Sequence, residues 1–363
     1  PPPPPPFSSR RRHTRYFLAS RGLGDVYKRQ VLLTVAVFFG VLIWRRPALR
    51  STNRLESILS RESGFLLNNW IFMVILAVVL WGTMFPKVSD WLTGTERMIG
   101  PLWFNQLNAP LALLLLLTGA GPLIAWRRAS RANLRKQFLW PGVAALLTAG
   151  ALLVWFRAEI GFFPLATWSL SSFVVGTIFQ EYFRAIRARM RSGGENPLQA
   201  FGTLMRKNQR RYGGYVVHLG VVFILIGIAG AAFNEERLEN VHPGGSIEID
   251  GYRLEYRTAL PIPKQHYGGA VARIALYQDD RPLATMTPEK RIYWLQQQPA
   301  SIPSVYSTLR EDLYVVLTAV ESNGSATLKI HRTPLVNWLW IGGYTFVLGT
   351  LFCMWPFPER RTG

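Results

Sequence analysis

His218 is the residue with the clearest potential for chemistry, because it lies inside the apolar run 213–233. Ionisable side chains within a membrane segment are costly and usually serve a purpose. At 1.5 Å per residue from Gly213, the imidazole lies about 8 Å into a predicted helix, short of the membrane midplane. Three interpretations stay open: a hydrogen bond to a neighbouring helix, a step in a proton or substrate pathway, and an axial ligand of a heme iron. The sequence has no acidic residue at a span centre to continue a relay, and no second membrane histidine to complete a bis-histidine heme.

The residues around His218 predict how its helix packs. Gly213, Gly220 and Gly227 recur every seven residues, which predicts a stripe for close helix contact. His218 is two positions before Gly220, about 200° around the helix, so it faces elsewhere.

A basic and aromatic group precedes this helix, formed by Arg210, Arg211, Tyr212 and Tyr215. Such residues usually anchor a helix at the membrane interface. The arginines are also suited to pairing with heme propionates or anionic headgroups.

The other candidate ligands give weaker signals. His242, His266 and His331 have a spacing that fits no compact metal site and are expected at the surface. Cys353 is the single cysteine, so no disulfide, CxxC pair or cysteine zinc site can form within the chain. We find no nucleophile elbow, phosphate loop or HExxH motif, and therefore assign no catalytic residue.

The elements that carry these residues are predicted to be membrane helices. The chain has 363 residues, 49% of them hydrophobic, and a pI of about 10.7, a combination typical of integral membrane proteins. Seven apolar runs are candidate spans: 31–44, which is short, 65–85, 109–126, 139–156, 163–183, 213–233 and 334–355.

The basic residues alternate between the two sides of these spans. Segments 45–64, 127–138, 184–212 and 356–363 together carry 20 Lys and Arg, whereas 86–108 and 157–162 carry 3. The positive-inside rule then places the C-terminus in the cytoplasm and segment 234–333 outside. The net charge of +20 is thereby attributed to membrane topology, and no nucleic-acid partner is expected.

Segment 234–333 is too long for a loop and has a β pattern. Hairpin turns are predicted at Asp250-Gly251, around 279–282 and at Asn323-Gly324. We expect a small antiparallel sandwich or barrel between the last two helices. Residues 1–30 begin with six prolines and read like translated sequencing adapter, so we predict a non-native or disordered tail.

Several stretches resemble one family in the same order. They are "LWGTMFP" (80–86), "GPLWFNQLNAPLALLLLL" (100–117), "NQRRYGGYVVHLGVVFILIGIAGAAF" (208–233), "PEKRIYW" (288–294), "EDLYVVL" (311–317) and "PLVNWLWIGG" (334–343). They make residues 31–363 similar to the C-terminal portion of the CcmF family of cytochrome c-type biogenesis proteins, to which the NrfE-like nitrite reductase assembly proteins are close.

The resemblance implies a heme lyase subunit of the bacterial inner membrane that attaches heme covalently to apocytochrome c. It implies a b-type heme between two membrane histidines, with His218 as one ligand of the iron. Arg210, Arg211 and Tyr215, at the start of the same helix, are candidate cofactor-binding residues. Heme is then also the substrate. The implied partners are a CcmE-like holo heme chaperone, apocytochrome c and CcmH/CcmI-like subunits that reduce or present it.

Parts of the family pattern are absent here. The tryptophan-rich WWD motif, the histidines beside it and the second ligand of the b-type heme would all precede residue 31. We therefore expect a truncated chain that is inactive alone. A structural membrane scaffold of the assembly complex remains the alternative, and a transporter is disfavoured because no inverted repeat, broken helix pair or midplane charge is evident.

Overall fold

The computed structural model describes residues 29–30, 32–49, 60–100, 103, 108–121, 131–157, 159–295 and 298–355. The predicted tail up to residue 28 and the C-terminal segment 356–363 lie outside them. The chain divides into two compact units, Pro1–Glu56 and Ser57–Gly363. The first unit contains the apolar helix α1 (Leu32–Arg45).

The second unit contains the remaining helices and the β domain. The helices are α2 (Arg61–Thr93), α3 (Asn108–Ala120), α4 (Arg131–Trp155), α5 (Phe162–Gly193), α6 (Pro197–Lys207), α7 (Gln209–Gly230) and α8 (Val336–Met354). Among the described residues, five helices (α2, α4, α5, α7 and α8) are long and apolar enough to cross a membrane. The spans predicted at 31–44 and 109–126 coincide with shorter apolar helices, Leu32–Arg45 and Pro110–Ala120. The prediction of a polytopic helical membrane protein is confirmed.

Helix α6 lies in segment 184–212, a connection between predicted spans for which the sequence analysis predicts no helix. It begins with a capping box, in which the Gln199 backbone N–H donates to Asn196 Oδ1 at 2.8 Å and the Gln199 side chain pairs with the Asn196 backbone. Pro197 occupies the first helical position, where its missing N–H costs nothing. Ala200 and Leu204 are buried, so α6 is a short amphipathic helix against the bundle.

The close contact predicted from the glycine repeat is confirmed between α7 and α8. A Cβ atom added at Gly220 would lie 2.6 Å from the Phe346 backbone nitrogen, and one at Gly227 would lie 2.8 Å from that of Leu339. Small residues let the two backbones approach this closely. The resulting van der Waals contact between the helices is better than the contact that each would make with lipid.

Helix α5 packs on the other face of α7. Phe173 and Val174 of α5 form a buried cluster with Leu115 of α3 and with Val222 and Leu225 of α7. The bundle therefore holds α7 between α8 on its glycine face and α5 on the opposite face.

The β domain is an antiparallel two-sheet structure. Its described strands are β1 (Glu235–Val241), β2 (Ser246–Ile249), β3 (Tyr252–Pro261), β4 (Tyr267–Gln278), β5 (Arg281–Met286), β6 (Glu289–Tyr293), β7 (Gln298–Ile302), β8 (Ser304–Ser307), β9 (Glu311–Val320) and β10 (Ala326–Pro334). One sheet has the order β1-β10-β9-β8, and the other has β2-β3-β4-β6-β7 with β5 also paired to β4. The three predicted hairpins are confirmed as β2–β3, β4–β5 and β9–β10.

Alternation along the strands builds the core of this domain. In β3, Tyr252, Leu254 and Tyr256 are at most 4% exposed, whereas the residues between them are partly exposed. Ile247 and Ile249 of β2 are buried against the same core. The period of two in the sequence thus predicts which side chains lie between the sheets.

Polar contacts hold the base of the β domain together and connect it to α8. Arg332 of β10 contacts Glu311 of β9, with 2.6 Å between Nε and Oε2, and Tyr252 donates to Glu311 Oε1 at 3.0 Å. Burial raises the pKa of Tyr252 to about 12, with the Glu311 carboxylate adding to the effect. In the first turn of α8, Asn337 donates to Asp312 Oδ1 at 2.8 Å. The base of the domain is therefore held by a largely buried polar network.

Candidate functional site

His218 lies on the face of α7 that is turned away from the glycine contact. It is three residues after Tyr215 and four before Val222, and both of these are buried on the side of α5. Side chains three and four residues apart share one face of a helix. His218 itself is half-buried, so the imidazole lies at the edge of the packed interior.

The Nδ1 atom of His218 is buried and has no hydrogen-bond partner among the described residues. A buried polar atom without a partner costs about 1–3 kcal/mol, so native structures rarely leave one without a reason. The described residues therefore do not supply the interhelical hydrogen bond that was one of the three open interpretations, at least at Nδ1. A hydrogen-bond partner or ligand for Nδ1 must therefore come from outside the described residues.

A polar cluster lies one to two helical turns before His218, toward the start of α7. Arg211 forms a salt bridge with Glu181 of α5, and its Nε donates to the Tyr215 hydroxyl at 3.3 Å. That hydroxyl lies 3.4 Å from Glu181 Oε2. Arg211 and Tyr215 thus both contact the Glu181 carboxylate. The sequence analysis did not predict a role for Glu181.

Three tyrosines pack beside this cluster. The ring of Tyr182 lies 5.1 Å from that of Tyr212 and 6.0 Å from that of Tyr215, between centroids. The Tyr182 hydroxyl donates to the Tyr212 carbonyl oxygen at 2.9 Å. These contacts join α5 and α7 at their basic ends. They therefore fix the position of His218 relative to α5.

The remaining sequence candidates do not join this site. Arg210 is exposed, at the same end of α7 as the cluster. In the β domain, His242 Nδ1 lies 2.6 Å from Ser325 Oγ, and His331 Nδ1 lies 3.3 Å from a Glu236 carboxylate oxygen. His266 lies in the loop between β3 and β4. Within the described residues, no group of three or more His, Cys, Asp or Glu could hold a metal ion.

The site is therefore a single membrane imidazole rather than a complete set of catalytic residues. An imidazole nitrogen can donate or accept a proton, or coordinate a metal such as heme iron. The chain is a polytopic helical membrane protein that carries a β-sandwich between its last two described helices.

Comparison with known proteins makes this class more specific. Residues 232–334 match the family model described as the CcmF C-terminal beta-sandwich. The chain is 31% identical over 324 residues to the cytochrome c-type biogenesis protein CcmF of Haemophilus influenzae, covering 88% of this chain and 48% of that protein. It is 28% identical over 321 residues to CcmF of Pseudomonas aeruginosa, covering 88% and 47%. The chain is therefore similar to CcmF proteins over 88% of its own length.

The solved structure named "Cytochrome c Heme Lyase CcmF" has the same fold. The match has a TM-score of 0.65 and 23% identity, and covers 83% of this chain and 46% of that one. The chain spans about half the length of the curated relatives that it matches.

Proposed function

We propose that this protein forms the C-terminal part of a cytochrome c heme lyase subunit, in which His218 is an axial ligand of a b-type heme. The observation that carries the proposal is the buried, unpartnered Nδ1 atom of His218 on a membrane helix of a CcmF-like chain. Its orphan state fits a residue whose partner is bound from outside the described residues. When bound, heme supplies one-electron redox chemistry at its iron.

The surrounding residues have distinct parts in this proposal. His218 supplies the imidazole, and the glycine contact with α8 and the Glu181 contacts with α5 hold its helix in place. Arg210 is exposed and suited to a propionate, since arginine binds carboxylates bidentately. Arg211 and Tyr215 already contact Glu181, so we assign them first to positioning and only through it to the cofactor.

The proposed setting is the bacterial inner membrane. The basic residues of α6, of the end of α5 and of the start of α7 lie at the opposite end of the bundle from the β domain, which supports a cytoplasmic C-terminus and a periplasmic β domain over 234–333. In this arrangement the protein receives heme from a CcmE-like chaperone. It acts on apocytochrome c together with CcmH/CcmI-like subunits, and the heme delivered to the apocytochrome is substrate.

The proposal is tested in a protein that is complete around the site. In a chimera, this chain replaces the corresponding part of the H. influenzae relative, and the product is purified in detergent. We expect a b-type reduced-minus-oxidised spectrum that is lost in His218→Ala. His266→Ala is the matched control, because it removes an imidazole from an exposed loop. A spectrum that survives His218→Ala unchanged rules out the ligand assignment.

Maturation activity is measured separately. The same chimera is expressed in a strain that lacks its own heme lyase subunit, and covalently bound heme is quantified by heme staining of the c-type cytochromes. We expect staining with the chimera and its His266→Ala variant. Absence of staining from a chimera that retains the b-type spectrum would contradict the heme lyase function but not the heme site.

A further inference from the structure

A groove opens at the end of the helix bundle that adjoins the β domain. It has a volume of about 440 Å³ and is lined by Leu152 of α4, by Trp168, Ser171, Ser172 and Val175 of α5, by Ile226 of α7 and by Leu335. Leu335 connects β10 directly to α8. The groove is separate from His218, which lies nearer the basic end of α7.

The walls of the groove are apolar and firmly built. Trp168 donates its indole N–H to the Ile226 carbonyl oxygen at 3.4 Å, and its ring stacks on Phe233 with 5.5 Å between centroids. Ser172 accepts a hydrogen bond from Thr148 at 2.9 Å. The Ser171 hydroxyl is buried and has no hydrogen-bond partner among the described residues. The lining that remains accessible is almost entirely apolar and suits a hydrocarbon ligand.

The size and shape of the groove select the kind of hydrocarbon. Its volume is in the range of small-molecule sites, about 300–1,000 Å³, whereas a transmembrane helix about 10 Å across would need far more room. The lining of α5 runs from Trp168 to Val175, which corresponds to about 10 Å along the helix. A groove of this length holds part of an extended acyl chain.

A cationic residue is hydrogen-bonded through its backbone to a residue of the groove wall. The Leu335 N–H donates to the Arg310 carbonyl oxygen at 2.7 Å, so Arg310 is adjacent to the groove wall. The Arg310 side chain is exposed and makes no ion pair with a carboxylate in the part of the chain that the structure describes. Its neighbour Leu309 is 72% exposed. An exposed leucine beside an unpaired arginine is the pattern expected of a loop that touches the headgroup region of a bilayer.

We propose that this groove binds one acyl chain of a phospholipid, whose phosphate is held by Arg310. The guanidinium matches the phosphate in charge and geometry, and the apolar walls match the chain. The site would hold the lipid at the joint between the β domain and the helices, where Asn337 already ties the two together.

The test is native mass spectrometry of the 363-residue protein released from detergent micelles that contain phosphatidylglycerol. We expect one retained phosphatidylglycerol. Val175→Phe, which fills the groove, should lower the retained fraction severalfold. Val347→Phe is the matched control, since Val347 is 53% exposed on α8 and does not line the groove.

The headgroup contact is tested with Arg310→Gln. Binding of phosphatidylglycerol should weaken about fivefold, which corresponds to about 1 kcal/mol for one basic residue at a membrane surface. Lys264→Gln removes a charge from the loop between β3 and β4 and should bind lipid like the wild type.

Three results would overturn the proposal. They are unchanged retention in Val175→Phe, unchanged affinity in Arg310→Gln, and loss of a dimer mass in Val175→Phe without loss of lipid, which would make the groove a contact between copies. Size-exclusion profiles and circular dichroism verify that both variants fold. If Val175→Phe does not fold, the surface variant Arg310→Gln still decides.

Discussion

Replacing Arg332 by methionine should destabilise the β domain by about 3–5 kcal/mol, the cost of removing one partner from a buried ion pair. The side chains of Arg332 and Glu311 are only 11% and 6% exposed, and 2.6 Å separates Nε from Oε2. Without the guanidinium, Glu311 keeps the Tyr252 hydroxyl at 3.0 Å as a donor, which does not neutralise its charge. The contact of Arg332 with Asp250 adds little, because the Asp250 side chain is 49% exposed.

The assay is urea unfolding of the purified protein in detergent, followed by the β signal in far-UV circular dichroism. Arg253→Met is the matched control, since the Arg253–Asp280 pair has side chains 37% and 90% exposed and should cost about 1 kcal/mol or less. The double variant Glu311→Leu/Arg332→Met should be less destabilised than Arg332→Met alone, because it leaves no uncompensated buried charge. The reasoning fails if Arg332→Met is no more destabilising than Arg253→Met.

Two further predictions concern pH and helix packing. The pKa of Tyr252 is about 12 in the folded protein, above its ordinary value of 10.0, so its contribution to stability is complete below pH 10 and is lost as the pH rises toward 12. Unfolding of Tyr252→Phe should show a smaller loss of stability over that window, by up to roughly 2 kcal/mol, and an unchanged slope would contradict the assignment. In thermal unfolding in detergent, Gly220→Ala should lower stability by about 1–3 kcal/mol because the added methyl meets the Phe346 backbone. Gly214→Ala meets no atom within 4 Å and should be neutral or stabilising, so equal melting temperatures for the two variants would refute the packing argument.

Hydrophobic pattern and turn chemistry predicted most of the fold. The hairpin at Asp250-Gly251 follows from local rules, since both residues adopt positive φ, 40° and 81°, in the structure. The close helix contact on the glycine face of α7 follows from the glycine repeat, whereas its partner, α8, is known from the structure. Both are properties of short stretches of sequence.

Helix α6 shows where this approach was incomplete. Its cap, Asn196-Pro197 with Gln199, is a recognisable helix start. Segment 184–212 lacks the long apolar run from which the spans are predicted, and its charge indicates only the basic side of the membrane, so neither signal predicts the helix.

The candidate site was predictable only in part. His218 was visible because an imidazole is conspicuous in an apolar run. Glu181 was not, because its contact with Arg211 joins residues 30 positions apart on different helices. The sequence signal that could have found it is an acidic residue near the end of a predicted span, since such a charge needs a partner.

The junction between α7, α8 and the β domain has a mechanical consequence. Strand β1 begins only two residues after the last short helical turn, Ala231–Phe233, and β10 enters α8 through Leu335. The two strands are hydrogen-bonded from the outset, with Glu235 opposite Arg332, and the two helices are in backbone contact below them. Helices α7 and α8 and strands β1 and β10 therefore form one stiff unit. A tilt of α7 against α8 must shear β1 against β10. Motion in the membrane and motion of the sandwich are coupled by covalent geometry, without a flexible linker to absorb either.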